Sequence, residues 1–231
     1  MQSIKNIPTT LWSVTTLLLA GLSFSPNAEA GRPLRTLKGI VMKVVDGDTI
    51  KFQPQGTVAG EKDLNIRMIV IDTPETKLPG KGGPHTQGYW GEAAWEQLQS
   101  FVEVGDKVEV EDYGIDSYGR TLGVVYKSGT NVNYEMAASG WGVLYIYCDG
   151  DNDCDTDPSF RDACINAMQK GLGVFDPSRP LPQLPFLFRA EKQGRPLSKF
   201  VGNFQTKKFV NPEEYEQVPL CDRVFFSSKA V

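Results

Sequence analysis

The sequence has little histidine, little cysteine and no excess of positive charge, and each shortage narrows the possible function classes. One histidine, His85, stands among 231 residues. Zinc sites with several histidines and paired-histidine phosphodiesterase sites are therefore hard to build. The 24 basic residues are outnumbered by 28 acidic ones, which argues against binding nucleic acid or membrane by bulk charge. If the protein is an enzyme, its chemistry rests on carboxylates, arginines and tyrosines.

The first thirty residues have the order of an export signal. Lys5 precedes a mostly apolar run over residues 11–24, and Ala28-Glu-Ala30 follows as a cleavage site. The run is shorter than the roughly 20 apolar residues that a spanning helix needs, and an uncleaved N-terminal anchor is the alternative. We expect cleavage after Ala30 and a secreted or periplasmic mature protein with no membrane segment.

The four cysteines are expected to form disulfides, because export exposes them to an oxidising compartment. Three pairings are possible for Cys148, Cys154, Cys164 and Cys221, and the sequence does not choose among them. Cys148, Cys154 and Cys164 lie close together, so a local bridge, either Cys148–Cys154 or Cys154–Cys164, is plausible. A catalytic thiol is disfavoured because no cysteine lies in a recognisable nucleophile motif.

Alternating and helical patterns of apolar residues predict a small α+β domain. Alternation with β-branched residues predicts five strands, over residues 37–45, 49–52, 63–72, 107–112 and 120–126. Helical spacing predicts three helices, over residues 92–102, 131–139 and 160–170. The Gly-, Pro- and Lys-rich segment 77–88, which contains His85, predicts a long mobile loop. Short strands, antiparallel turn signals and interspersed helices together predict a β-barrel.

A proline-rich segment divides the rest of the chain. Four prolines in residues 176–185 predict a linker, which sets the expected domains as a barrel domain over 31–175, a linker over 176–198 and a small extension over 199–231. Charge changes sign near this point. Residues 31–178 carry 14 basic and 22 acidic side chains, whereas residues 179–231 carry nine basic and five acidic ones.

The lysines of the extension have two equally good explanations. Lys199, Lys207 and Lys208 either contact the phosphate backbone of a nucleic acid or form a solubilising surface on a small β element.

Charged residues occupy four places where strand chemistry disfavours them. Asp48 lies at the tip of the first hairpin, Arg67 lies inside an apolar strand, Asp72 and Glu75 close that strand, and Arg120 heads the fifth strand. Each has an ordinary explanation as a turn residue, an edge ion pair or a cap. Together they predict a single site that binds both a cation and a phosphate. Carboxylates at strand ends bind a hard cation, and two guanidiniums clamp a phosphate.

These residues lie in motifs by which the sequence resembles the staphylococcal nuclease family over roughly residues 37–175. The resemblance is carried by six segments in the expected order: Val45-Asp-Gly-Asp48-Thr49, Arg67, Ile71-Asp72-Thr-Pro-Glu75-Thr76, Tyr89-Trp-Gly91-Glu-Ala93-Ala94, Asp116-Ser-Tyr-Gly-Arg120, and Asn131–Gly142 running into Tyr145-Ile-Tyr147. Asp-Gly-Asp alone is a weak signal, but all six segments at compatible spacing are a strong one.

The resemblance implies a five-stranded OB-fold barrel with three helices and a calcium site beside the barrel. It implies that Asp48 and Asp72 bind Ca²⁺ through carboxylates and Thr73 through its carbonyl, with Asp46 as a supporting carboxylate. It further implies that Glu75 holds the attacking water and that Arg67 and Arg120 bind the scissile phosphate. A nucleotide pocket is implied at three tyrosines: Tyr118, Tyr145 and Tyr147.

The function expected from this resemblance is calcium-dependent hydrolysis of DNA and RNA to 3′-phosphate ends. We expect little base specificity, a monomer and no stable protein partner. Two other classes stay open: a non-catalytic oligonucleotide-binding barrel, and a calcium-stabilised envelope protein that binds without turnover. His85 has no expected role.

An alternating acidic run departs from the family pattern. Residues 149–157 carry five aspartates, but an EF-hand loop would need Gly at Cys154 and Glu at Phe160, so that motif fails. A solvated acidic loop held by a disulfide is favoured over a second calcium site.

Overall fold

The computed structural model describes residues 33–58, 62–80, 82–148 and 157–227. The expected export signal with its cleavage site, and residues 149–156 of the acidic run, lie outside these ranges. Within them the elements follow in the order β1 (Arg35–Asp46), β2 (Thr49–Pro54), β3 (Leu64–Met68), β4 (Val70–Asp72), β5 (Leu78–Gly80), β6 (Gly83–His85), α1 (Tyr89–Phe101), β7 (Lys107–Ile115), β8 (Thr121–Lys127), β9 (Thr130–Asn131), α2 (Val132–Ala138), β10 (Val143–Cys148), α3 (Pro158–Lys170), α4 (Pro185–Lys192), β11 (Phe200–Asn203), β12 (Phe209–Val210) and β13 (Arg223–Phe226). Short 3₁₀ turns cover Gly173–Phe175, Pro212–Gln217 and Leu220–Asp222.

Five strands close the predicted barrel. Their order is β3-β2-β1-β7-β8, and a parallel pairing of β3 with β8 joins the two ends. The alternating residues of these strands point inward, and Ile50, Phe52, Ile66 and Met68 are fully buried in the core. The α+β fold with a five-stranded OB-type barrel is therefore confirmed.

The predicted third strand, over residues 63–72, is wrong as a single element. The chain breaks at Ile69, and Val70 takes a φ of 71°, a left-handed conformation that is rare for a β-branched residue. β3 stays in the barrel, whereas β4 pairs antiparallel with β10, Asp72 lying opposite Val143. Apolar alternation continues through the break, so the sequence pattern does not show that the chain changes sheets.

The three predicted helices are confirmed as α1, α2 and α3. α3 ends at Gly171, which takes the left-handed C-cap conformation with a φ of 62°. No helix of the described ranges is long and apolar enough to cross a membrane. The long loop predicted over 77–88 is instead partly a small hairpin, since β5 pairs with β6 and Leu78 lies opposite His85.

The C-terminal residues form a second sheet together with β10 and β4. β13 pairs parallel with β10, and a five-stranded sheet forms in the order β12-β11-β13-β10-β4. A disulfide joins Cys164 on α3 to Cys221 before β13. This pairing excludes the expected alternative Cys154–Cys164. Cys148 is disulfide-bonded as well, and Cys154 lies outside the described residues.

A helix lies within the segment 176–198, where the prolines predict a linker. Pro185 begins α4 at its first position, where a fixed φ and a missing N–H favour a helix start. Phe188 of α4 is buried. Of the four prolines that predict a linker, Pro185 starts a helix.

Candidate active site

The hairpin tip between β1 and β2 meets the end of β4 at one end of the barrel. Asp48 is 5% exposed and Asp72 is 1% exposed. One carboxylate oxygen of Asp48, Oδ2, accepts a hydrogen bond from the backbone N–H of Thr73 at 2.9 Å. The structure therefore brings Asp48, Asp72 and Thr73, the three predicted calcium ligands, together in a buried cluster.

Two glycines allow this close approach. A Cβ on Gly47 would lie 2.7 Å from Thr73 Oγ1 and 2.9 Å from Ala94 Cβ on α1. A Cβ on Gly91 would lie 2.4 Å from the carbonyl oxygen of Glu75. The glycines of the Asp-Gly-Asp and Tyr-Trp-Gly segments are therefore required by packing around the cluster.

Arg67 bridges the two buried aspartates. Its Nη1 lies 2.8 Å from Asp48 Oδ2, and its Nη2 lies 2.9 Å from Asp72 Oδ1. The side chain is 12% exposed, so it is not an exposed edge residue. A guanidinium shared by two carboxylates compensates part of the charge that the fold buries.

Glu75 lies beside this bridge and contacts an arginine that sequence reasoning missed. Arg189 of α4 places Nη1 2.7 Å from Asp72 Oδ1 and 2.9 Å from Glu75 Oε1, and its Nη2 lies 2.8 Å from Asp72 Oδ2. Arg189 is 117 residues away from Asp72 in the chain. The sign change of charge after residue 178 is the signal that could have pointed to this region.

Burial shifts the acid–base properties of the cluster. Burial, reinforced by the neighbouring Asp48 carboxylate, raises the pKa of Asp46 to about 7. Burial also raises the pKa of Glu75, although the Arg189 guanidinium acts in the opposite direction. Asp46 supports the hairpin tip directly, since its Oδ1 accepts the backbone N–H of Asp48 at 3.1 Å.

Arg120 lines the same cleft as Arg67 and Glu75. Asp116 holds it through Nε–Oδ2 at 2.8 Å, and the same carboxylate accepts the backbone N–H of Arg120. Tyr118 is exposed, and the Arg120 guanidinium lies 5.5 Å from its ring centre. The Asp116-Ser-Tyr-Gly-Arg120 turn therefore presents an oriented guanidinium and a phenol to the cleft.

The other two predicted nucleotide-pocket tyrosines meet the C-terminal residues. Lys199 Nζ donates to the hydroxyl of Tyr145 at 2.8 Å and lies 3.8 Å from the ring centre of Tyr147. The ring of Tyr145 stacks on Phe225 of β13 at 4.5 Å. Burial and the nearby Asp72 raise the pKa of Tyr145, so its hydroxyl stays protonated at neutral pH. Tyr145 and Tyr147 line the cleft.

A second missed residue, Gln87, fixes the backbone of Glu75. Its Oε1 accepts the Glu75 N–H at 3.1 Å, and its Nε2 donates to the carbonyl of Gln183, just before α4, at 2.8 Å. Gln87 lies in the segment expected to be a mobile loop, whose composition gives no signal for such a role.

The donor set of this cluster fits a hard divalent cation, because calcium prefers carboxylate and carbonyl oxygens. Arg67 and Arg189, however, occupy the carboxylate oxygens of Asp72. Across residues 33–58, 62–80, 82–148 and 157–227, no group of three or more His, Cys, Asp or Glu side chains is arranged to hold a metal ion.

Comparison with known proteins gives a family match over residues 65–176, to the family described as "Staphylococcal nuclease homologue". The chain is 35% identical over 195 residues to the endonuclease YhcR of Bacillus subtilis (strain 168), and the aligned region covers 83% of this chain and 16% of that protein. It is 34% identical over 107 residues to the thermonuclease of Staphylococcus hyicus, covering 46% of this chain and 59% of that protein.

A protein of Haemophilus influenzae described as an uncharacterized endonuclease is 29% identical over 141 residues, covering 61% of this chain and 67% of that protein. The chain thus spans about a sixth of the Bacillus subtilis endonuclease YhcR and less than two thirds of the thermonuclease.

Proposed function

Because the chain belongs to the staphylococcal nuclease family, we propose that it is a calcium-dependent phosphodiesterase that hydrolyses DNA and RNA to 3′-phosphate ends with little base specificity. The observation that carries this proposal is the bridge of Arg67 between Asp48 and Asp72, with Glu75 beside it. Carboxylates, a water-binding acid and phosphate-binding guanidiniums are the groups that metal-assisted phosphodiester hydrolysis requires.

Asp48 and Asp72, with the Thr73 carbonyl, would hold the cation. When bound, Ca²⁺ polarises a phosphoryl oxygen and stabilises the negative charge that develops on it. Asp46 supports this arrangement, because its carboxylate accepts the hydrogen bond of the Asp48 backbone N–H.

Arg67 and Arg120 bind the non-bridging oxygens of the scissile phosphate. Guanidiniums suit this task because they stay charged and donate two parallel hydrogen bonds. Asp116 orients Arg120 in advance, so little reorganisation is needed when charge grows on the phosphoryl oxygens.

Glu75 orients the attacking water and accepts its proton. The raised pKa of Glu75 makes its carboxylate a better proton acceptor than an exposed one. The water oxygen bonds to phosphorus in line with the 5′-oxygen, the P–O5′ bond breaks, and a proton from solvent completes the 5′-hydroxyl. The phosphate stays on the 3′-oxygen.

Tyr118, Tyr145 and Tyr147 line the side of the cleft where a nucleotide would lie. Aromatic stacking and phosphate contacts tolerate every base, which supports weak base specificity. We also propose that the protein is a monomer that acts after export, in the periplasm or as a secreted protein; the N-terminal sequence supports the export.

The test is cleavage of end-labelled single-stranded DNA by the mature protein, with Ca²⁺ or with chelator, and identification of product ends by mass spectrometry. We expect calcium-dependent cleavage to 3′-phosphate ends. Arg120→Ala and Glu75→Gln should each lower the rate by about 10²–10⁴. Arg35→Ala and Glu109→Gln serve as matched controls, because Arg35 pairs with Asp112 and Glu109 pairs with Lys38, and neither Arg35 nor Glu109 lines the cleft.

Two results would contradict the proposal. Near-normal cleavage by Glu75→Gln or Arg120→Ala would show that the assigned residues are wrong. Tight binding of single-stranded DNA with no cleavage under any divalent cation would identify a non-catalytic oligonucleotide-binding barrel.

A further inference from the structure

Arg189 makes three charge-assisted hydrogen bonds to residues of the proposed catalytic cluster. Nη1 donates to Asp72 Oδ1 at 2.7 Å and to Glu75 Oε1 at 2.9 Å, and Nη2 donates to Asp72 Oδ2 at 2.8 Å. The side chain is 23% exposed. The contacts with Asp72 and Glu75 outweigh the effect of burial and hold the pKa of Arg189 well above its usual range. Arg189 is therefore a charged member of the cluster.

The rest of α4 is docked so that Arg189 reaches inward. The carbonyl of Gln183, just before the helix, accepts a hydrogen bond from Gln87 at 2.8 Å. After the helix, Gln193 donates to the carbonyl of Pro79 at 3.4 Å. The ring of Phe186 packs on Tyr145 and Phe225 at 6.0 Å and 5.1 Å. Contacts on both sides of Arg189 thus position the helix over the cluster.

The contacts of Asp72 leave little room for a cation. Its carboxylate accepts one bond from Arg67 and two from Arg189, and an ionised carboxylate offers about four acceptor directions in all. A calcium ligand oxygen must lie about 2.3–2.6 Å from the ion. Three of these directions are taken, so a cation and the Arg189 guanidinium, which are both positively charged, compete for the same carboxylate.

Of the two arginines on Asp72, Arg189 is the one that can leave. Arg67 lies within β3, which pairs with β2 and β8 in the closed barrel. Arg189 lies on an eight-residue helix outside both main sheets. On either side of α4 the chain is anchored independently, by α3 with its disulfide to Cys221 and by the pairing of β11 with β13.

We propose that Arg189 competes with the divalent cation for Asp72 and Glu75, and that this competition sets the affinity of the cation site. Arg189 neutralises the carboxylates in the cation-free protein, and cation binding displaces its guanidinium and loosens α4. The inference rests on the proposed calcium-dependent function, which it deepens by naming a residue that controls cation binding.

The first test is calorimetric titration of the mature protein with calcium chloride, with no nucleic acid present. Arg189→Met should bind Ca²⁺ about 10- to 100-fold more tightly than wild type, the size of a typical coupling between two ligands. Lys192→Met is the matched control, because it removes one positive charge from the same helix while Lys192 contacts Glu191 rather than the cluster. Its calcium Kd should stay within about twofold of wild type, since a partly exposed charge that is paired with Glu191 acts weakly at a distance.

The Arg189→Lys variant distinguishes displacement of the guanidinium from an effect of its positive charge alone. It keeps the positive charge but loses the two-pronged contact with Asp72, so its calcium Kd should lie between those of wild type and Arg189→Met. A Kd equal to that of wild type would assign the effect to charge alone and overturn displacement.

Amide hydrogen exchange of the wild-type protein tests the same inference without a variant. Residues 185–192 should exchange at least tenfold faster on calcium addition, whereas β1 should not change. Unchanged exchange in α4 would contradict the proposal. An Arg189→Met variant that binds Ca²⁺ no more tightly than wild type would also contradict it. The proposed calcium-dependent cleavage would still stand after that result. If neither wild type nor Arg189→Met binds Ca²⁺, both the inference and the proposed calcium dependence fail.

Discussion

The side-chain amide of Asn133 donates to the carbonyl of Ile69 at 3.0 Å, at the point where the chain passes from β3 to β4. The same amide donates to the carbonyl of Gly123 at 3.1 Å and accepts the N–H of Val125 at 3.0 Å. The fully buried Asn133 side chain on α2 thus joins the barrel strand β8 to the turn that precedes β4 and Asp72.

Asn133→Ala should lower the free energy of unfolding by roughly 3 kcal/mol, because it leaves buried backbone groups without partners. The measurement is urea denaturation followed by fluorescence. Asn131→Ala is the matched control. Asn131 caps α2 through the N–H of Tyr134, and losing such a cap costs about 1 kcal/mol. Equal losses in the two variants would show that the Asn133 contacts have no special weight.

The disulfide between Cys164 and Cys221 should contribute substantially to stability. The bridge spans 57 residues and restricts the unfolded chain, so replacing both cysteines with alanine should cost about 3 kcal/mol. The urea midpoint of the double variant measures this loss. Wild-type protein in reductant should lose at least as much, since Cys148 is also disulfide-bonded. An unchanged midpoint would show that sheet pairing alone holds the C-terminal strands.

Asp46 should make the cation-free protein less stable as pH rises. Its pKa is about 7 in the folded protein against an ordinary 3.8. Between these two values the unfolded chain has already lost the proton that the folded protein retains, so this group lowers stability as pH increases. Above pH 7 both states are ionised and the effect levels off.

Asp46→Asn removes that titration. The difference in unfolding free energy, variant minus wild type, should therefore grow from pH 4 to pH 7 and stay constant above it. Thermal or urea unfolding in chelator at several pH values gives this difference. A difference that does not vary with pH would show that Asp46 titrates normally.

Lys199 should contact nucleic acid, whereas Lys208 should not. Lys199 lies against Tyr145 and Tyr147 in the cleft, whereas Lys208 is exposed in the turn between β11 and β12. In a Glu75→Gln background, in which cleavage should be about 10²–10⁴ times slower, Lys199→Gln should weaken single-stranded DNA binding. It should also reduce the slope of log affinity against log salt by about 0.7, the contribution of one phosphate contact.

Lys208→Gln is the control for that measurement and should leave the slope unchanged. If both lysines change the slope equally, the C-terminal residues act as a general basic surface. If neither does, Lys199 has a structural role on the two tyrosines.

Most of the fold could be predicted from the sequence because its signals are local. Alternation marked the barrel strands, and helical spacing marked α1, α2 and α3 to within a few residues. The change of sheet at Ile69 was missed because both halves of that segment are apolar and β-branched. β10 was not predicted as a strand, although its tyrosines were assigned to the nucleotide pocket.

The candidate site could be predicted in part. Asp48, Asp72, Glu75, Arg67 and Arg120 stood out as charged residues where strand chemistry disfavours them. In the structure Asp48, Glu75, Arg67 and Arg120 line one cleft, and Asp72 contacts Arg67. Arg189 and Gln87 could not be found in this way. Their partners lie far away along the chain or are backbone groups, and neither kind of contact leaves a periodic pattern.

Because β10 pairs with β13, the residues that match the family and the residues that form the folded sheet are not the same set. The family match begins at residue 65, inside the barrel, and ends at residue 176. The strands β1 and β2 precede that region, and β13 and Cys221 follow it. A fragment cut to residues 65–176 would open the barrel, expose the edge of β10 and leave Cys164 unpaired. We therefore expect a fragment with boundaries drawn from sequence similarity to be much less stable than the chain from β1 through β13.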